Sequence, residues 1–221
     1  MIFRDREHAA HLLVHALRRY RGRHVLVRAI PRGAVPMGRI IADELGGELD
    51  VVLVRKLAAP NAPELAIGAV DENGETFLPE GLDHVHVSRG YIEVERARQL
   101  AVLRERRALY TPHHASISPA GRIVIVLDDG IATGATMIAA LRATRHKDPA
   151  ELIAASGVIA RETFDSVAAE ADRVVCLQTP EYFGAVGHFF EHFDPVADEE
   201  VIAALAQHGG SMAVHAPPGR T

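Results

Sequence analysis

The chain has 221 residues, 48% of them apolar and 24% charged, with a formal net charge of −5. That length buries a core of its own, and the acidic balance argues against a life on nucleic acid. A single cysteine excludes an intrachain disulfide framework or a cysteine-built metal site.

No apolar run approaches the roughly 20 residues needed to span a bilayer. The opening "MIFRDREHAAHLL" has no apolar signal core, so a cytoplasmic protein is expected. Ala9, Leu12, Leu13, Ala16, Leu17 and Tyr20 recur at helical spacing and predict a helix over 6–20. "HVLVRAI" (24–30) reads as a strand. In "PRGAVPMGRIIADELGG", Pro36 suits a first helical turn, Met37, Ile40, Ile41 and Leu45 give the apolar face, and Gly46–Gly47 stop it. "LDVVLVRK" (49–56) predicts a second strand, apolar enough to be covered on both faces.

The pattern then changes. Pro60 and Pro63 lie in an unperiodic segment, and two short strands about "DENG" (71–74) predict a hairpin. "VHVSRGYIEVERARQLAVLRERRALY" offers a short strand and a long charged helix over 89–110. Alternation resumes with "RIVIVLD", a helix over 134–145, the strand "AELIAASGVIA", the helix "RETFDSVAAEA", the strand "DRVVCLQT" and a last helix over 196–206. Cys176 lies in that last strand and reads as an inert core thiol. Repeated strand–helix alternation predicts an α/β fold: a mostly parallel central sheet flanked by helices. One domain over 1–207 is expected, with an inserted hairpin and long helix over about 65–112, a small hood over about 180–194 and a disordered tail over 208–221.

Ligands of such sheets sit at the carboxyl ends of the strands. Segments 31–34, 55–65 and 128–136 all fall there. The stretch "VIVLDDGIATGATM" (124–137) joins two halves that want opposite partners. Asp128 and Asp129 repel each other beyond a buried strand, and are suited to sugar hydroxyls, to Mg²⁺ or to both. Thr133, Gly134, Ala135 and Thr136 follow where a helix begins, and helix N–H groups and small residues suit a phosphate. The plainer alternative is that Thr133 caps the helix. The GxxxxGK[ST] spacing and its lysine are missing. One ligand satisfies both halves if it is a phosphorylated ribose.

This stretch closely resembles the signature of type I phosphoribosyltransferases, which use 5-phosphoribosyl-1-pyrophosphate (PRPP). Gly130 departs from it, standing where a larger apolar residue is usual. "AIPRGAVP" resembles that family's pyrophosphate loop, and the likeness places a cis peptide at Arg32–Gly33. "VRKLAAPNAPELAIGAV" resembles the basic strand end and mobile catalytic loop, and "PEYFGAVGHFF" the hood over the base. The element order is similar from residue 22 to 205, and the layout is most similar to bacterial phosphoribosyltransferases with no assigned acceptor.

The resemblance implies a Mg²⁺-dependent transferase that moves the 5-phosphoribosyl group from PRPP to a nucleobase or similar nitrogen heterocycle, releasing pyrophosphate. It places the 5′-phosphate on Ala132, Thr133, Gly134, Ala135 and Thr136, and pyrophosphate on Arg32, Gly33 and Ala34. Asp128, Asp129, Arg55 and Lys56 become the catalytic set, with Mg²⁺ held mainly through PRPP and open to help from Asp128 and Asp129. Segment 57–66 becomes a lid, and Tyr182, Phe183 and Val186 face the base; the alternatives are a solvated strand end, an ordinary loop and core packing. Ala132 stands where hypoxanthine-guanine enzymes carry an aspartate, which weakens that substrate class. No general base for the acceptor is apparent.

His188, Glu191 and His192 match HxxEH, but Gly187 and Pro195 bracket the stretch too tightly for the long helix a zinc site needs. "HVH" (84–86) and "HH" (113–114) read as exposed histidines. Mixed charge on the long helix, including Arg96, Arg98, Arg104, Arg106 and Arg107, reads as a solvated or homodimer face. A PRPP-sensing regulator without turnover is the rival reading, which Arg55, Lys56 and the acidic balance disfavour. A PRPP synthetase would need a second phosphate loop, and the sequence has none.

Overall fold

The computed structural model describes residues 1–60, 62–78, 87–112 and 116–209. The chain begins with α1 (Arg6–Ala16), β1 (Leu26–Ala29), α2 (Ala34–Leu45) and β2 (Glu48–Val51). There follow β3 (Val54–Ala59), β4 (Ala62–Asp71), β5 (Thr76–Phe77) and α3 (Arg89–Tyr110). The second half is β6 (Ile123–Ile131), α4 (Ala135–Arg145), β7 (Glu151–Ile159), α5 (Arg161–Ala168), β8 (Arg173–Gln178) and α6 (Asp198–Gly209). Five strands form a parallel sheet in the order β2-β1-β6-β7-β8, so the α/β expectation holds.

Local signals set the helix ends. Asp5 caps α1 by accepting from the His8 N–H at 2.8 Å, and Gly46 closes α2 at φ 67°. The first helix is shorter than its periodicity suggests: α1 stops at Ala16 and a 3₁₀ turn runs over Arg18–Tyr20. That turn buries Tyr20, whose hydroxyl donates to Glu151 at 2.6 Å. Packing against β7 overrides the continuing apolar spacing.

Strand side chains alternate between two helix layers. Val27, Ala29, Ile125, Leu127, Ile153 and Ala155 face α1, α2 and α6. Leu26, Val124, Val126, Leu152 and Ala154 pack with Met137, Leu141 and Val167 of α4 and α5. Apart from Arg28 in β1 and the acids of β2, the inner strands are therefore largely apolar, as a doubly covered parallel sheet favours.

The strand expected over 49–56 is two strands. β2 ends at Val51, paired with Ala29, and β3 starts a separate antiparallel sheet in the order β3-β4-β5. Val52 and Leu53 between them stay buried, so hydropathy runs unbroken across a change of sheet. The hairpin about 71–74 forms between β4 and β5, with Asp71 Oδ1 accepting from the Asn73 and Glu75 N–H groups at 2.9 Å.

Buried charge joins this small sheet and α3 to the central sheet. Arg107 of α3 donates to Asp50 Oδ1 at 2.7 Å, to Glu72 and to the Val51 carbonyl at 3.0 Å. Arg28, 1% exposed inside β1, lies 3.9 Å from Glu72 and donates to Thr144 Oγ1 at 3.0 Å. The tail from 210 on, both histidine pairs (84–86 and 113–114) and most of the strand expected before α3 lie outside the described residues.

Candidate active site

Strand parity explains how the two aspartates are placed. Ile125 and Leu127 face α1, and two residues on Asp129 does the same. There its Oδ2 accepts from Arg6 Nε at 2.8 Å. The Arg6 guanidinium also donates to the Asp194 carbonyl at 2.7 Å and lies 3.8 Å above the Phe193 ring. Asp128 Oδ1 accepts from the Asp129 N–H at 2.9 Å. Burial, and next the Asp129 charge, push the Asp128 carboxyl well above the usual carboxylate range; Arg6 opposes the shift. The pair thus divides into a carboxyl of raised proton affinity and a neighbour paired with a guanidinium.

The loop after β1 presses on this pair, because β1 and β6 run side by side in register. A Cβ built on Gly33 would stand 2.0 Å from Asp129 Oδ2, so only glycine lets the backbone lie against that carboxylate. The cis peptide is Pro31–Arg32, one residue earlier than the resemblance placed it at Arg32–Gly33. Backbone crowding at Gly33 leaves no trace in residue type that separates the two positions. The Arg32 side chain turns away toward α6, with Nη1 3.9 Å from Asp198. The Tyr110 hydroxyl donates to the same Asp198 at 2.7 Å; burial and that carboxylate push the hydroxyl up to about 12.

Past the aspartates, Gly134 takes φ 76° and precedes α4 with no side-chain cap, so Thr133 is not the helix cap. Ala132, Thr133, Ala135 and Thr136 are exposed while Gly134 is buried. A Cβ on Gly134 would meet Thr163 Cγ2 at 2.6 Å, and Thr163 Oγ1 donates to the Ala132 carbonyl at 2.6 Å. α5 therefore braces the loop and leaves the α4 N-terminus open to a ligand.

Arg55 and Lys56 lie on the first strand of the small sheet, not at the end of a parallel strand. With Pro31, Thr136, Leu103 and Arg106 they line a cavity of about 270 Å³. It joins the loop after β1 to the start of α4. Segment 57–66, expected to be a loop, holds the paired tip of the β3–β4 hairpin, with Ala58 opposite Ala66 and Ala59 opposite Ala62.

In the hood, Val186 packs on Gly130: a Cβ there would stand 2.3 Å from Val186 Cγ1. The unusual glycine of the signature makes room for this contact. Phe183 meets Phe189 with ring centroids 5.2 Å apart, and Tyr182 is 91% exposed. His188 sits in a 3₁₀ turn over Val186–Phe189, too short for a zinc helix. Among the described residues no three His, Cys, Asp or Glu side chains gather to hold a metal. The Cys176 thiol is pushed by burial up to about 11 and donates to the Gln178 carbonyl at 2.9 Å. Among the described residues, no helix is long and apolar enough to cross a membrane.

Three contributors escaped the sequence reading. Arg6 stands 123 positions from Asp129, Thr163 looks like any residue of a first helical turn, and Arg106 is one of many arginines on α3. No local signal marks them.

A parallel sheet whose central strand carries paired aspartates, beside an open helix start and a cationic cavity, frames the candidate site. Residues 4–189 match the family model described as phosphoribosyl transferase domain, and the chain belongs to that family. The TT1426 protein of Thermus thermophilus has a crystal structure similar at TM-score 0.85 and 42% identity, over 94% of this chain and 99% of that one. Proteins from two strains of Mycobacterium tuberculosis, provisionally named phosphoribosyl transferases, are 35% identical over 227 residues. The alignment covers 99% of this chain and 51% of theirs, so the chain spans about half the length of these curated relatives.

Proposed function

We propose that the chain transfers the 5-phosphoribosyl group of PRPP to a nucleobase or related nitrogen heterocycle, releasing pyrophosphate. The observation that carries this reading is the convergence of the Asp128–Asp129 pair, the uncapped α4 start and the cavity lined by Arg55 and Lys56. The 5′-phosphate binds the Ala132, Thr133, Gly134, Ala135 and Thr136 segment. Asp128 and Asp129 meet the two ribose hydroxyls, with Asp129 accepting from one of them. The backbone of Arg32, Gly33 and Ala34 receives pyrophosphate, with Arg55 and Lys56 supplying charge.

The acceptor nitrogen's lone pair forms the bond to the anomeric carbon. The bond from that carbon to pyrophosphate oxygen breaks, and its electron pair leaves with pyrophosphate. The acceptor's proton passes to solvent. Negative charge grows on the leaving group, where preorganised cations and N–H groups stabilise the transition state more than the ground state. Two carboxyls, one tied to Arg6, supply too few oxygens for Mg²⁺ on their own. Mg²⁺ held mainly through the PRPP diphosphate would offset leaving-group charge, and Asp128 and Asp129 are the side chains that could help to hold it.

Tyr182, Phe183 and Val186 bound the acceptor side. Tyr182 is the member free to stack on a flat base. A homodimer in the cytoplasm is the setting this reading expects.

The test is pyrophosphate release from PRPP and Mg²⁺ with a panel of purines and pyrimidines, a no-acceptor control and Asp129→Asn. We expect acceptor-dependent release that the variant loses by about 10²-fold while remaining folded by circular dichroism. Wild-type turnover in a folded Asp129→Asn protein would refute the site.

A further inference from the structure

We infer that Arg106, carried by the inserted helix α3, is a third cation of the pyrophosphate pocket and binds the leaving group together with Arg55 and Lys56. This rests on the phosphoribosyl transfer reading above.

The geometry begins with the helix. Leu103 and Arg106 are one turn apart on α3 and face the same way. Leu103 is 1% exposed and Arg106 is exposed, and both line the cavity that holds Pro31, Arg55, Lys56 and Thr136. Leu103 therefore fixes which face of α3 meets the cavity, and Arg106 reaches it from the rim.

The helix that carries Arg106 is anchored just beyond it. Arg107, next along the chain, is buried in the Asp50 and Glu72 carboxylates. Tyr110, one turn on, is 2% exposed and bonded to Asp198. With α3 pinned at these two points, the backbone at Arg106 is held beside the pocket. The loop after β1 shares the second anchor, since Arg32 lies 3.9 Å from Asp198.

The two guanidinium charges repel each other, and Glu95 offsets only part of that on Arg55. Among the described residues no carboxylate lines the cavity. Among the described residues neither Arg55 nor Arg106 has an ion pair within 4 Å, although carboxylates pair with Arg98 and Arg107 on the same helix. Burial, and next the charge of Arg106, lower the Arg55 guanidinium's pKa. Like charges placed against each other with little compensation cost folding free energy, and a polyanionic ligand removes that cost. Pyrophosphate has the matching charge, and the cavity lies against the loop assigned to it.

The experiment is calorimetric titration of the full chain, with Mg²⁺ present, by PRPP, inorganic pyrophosphate and ribose 5-phosphate. For Arg106→Gln we expect PRPP and pyrophosphate to bind about tenfold more weakly, the loss of one charged hydrogen bond. Ribose 5-phosphate, which lacks the leaving group, binds as before. Arg104→Gln, on another face of α3, binds all three like the wild type. Wild-type affinity for PRPP in Arg106→Gln overturns the inference and leaves the transferase reading standing. So does equal weakening of ribose 5-phosphate, or an equal pyrophosphate loss in Arg104→Gln. If the wild type binds neither PRPP nor pyrophosphate, the transferase reading and this inference fall together.

Discussion

Adjacent Asp128 and Asp129 differ because strand parity gives them different neighbours. Asp129 meets Arg6, and among the described residues no cation stands in hydrogen-bonding reach of Asp128. Folded Asp128 therefore binds its proton more tightly than the unfolded chain does. Its contribution to stability is complete below about pH 4, where the unfolded carboxyl is also protonated, and is lost as pH rises through the raised folded value. Asp128→Asn removes that titration. Between about pH 5 and pH 8 the variant should gain stability relative to wild type. Urea midpoints at the two pH values check this, and parallel behaviour of the two proteins would refute it. The sequence marked both aspartates as ligands but could not tell their surroundings apart, because Arg6 enters from a distant helix.

At the scale of elements, α3 does more than offer a charged face. Arg107 is its anchor, shared by Asp50 of β2 and Glu72 beyond β4. Asp50 and Glu72 side chains are 4% and 8% exposed, so removing the guanidinium strands two nearly buried carboxylates. Arg107→Met should lower stability by about 3 kcal/mol, read as a drop in the urea midpoint. It should also loosen PRPP binding by releasing Arg106. An unchanged midpoint would mean that Arg28 alone compensates both acids. Composition could not separate Arg107 from Arg96, Arg98 or Arg104, since burial is set by partners outside the helix. The break between β2 and β3 was hidden for a related reason: Val52 and Leu53 are as apolar as a strand and are buried between two sheets.

For the whole molecule, the site is closed by parts from both ends of the chain. Phe3 is buried, its N–H donates to the Phe189 carbonyl at 2.8 Å, and its carbonyl accepts from Glu191 at 2.8 Å. Its ring lies 5.2 Å from Phe190. This clasp holds the hood against α1, where Arg6 reaches Asp129. Phe3→Ala should cost about 3 kcal/mol in urea unfolding and expose the hood to limited proteolysis. Resistance equal to wild type would show that the hood holds without the clasp.

The sequence by itself determined the parallel α/β sheet, most helix spans and the signature from Val124 to Met137. Those features depend on periodicity, on glycine and on neighbours a few positions apart, which local order records. Only the tertiary structure decided that Arg6 holds Asp129, that Val186 fills the space above Gly130, and that Arg55 and Lys56 belong to a second sheet. It also turned the Arg32 side chain toward Asp198 and brought Arg106 to the pocket rim. Each of these pairs residues far apart in the chain, and no local pattern carries the direction in which a side chain meets a distant partner.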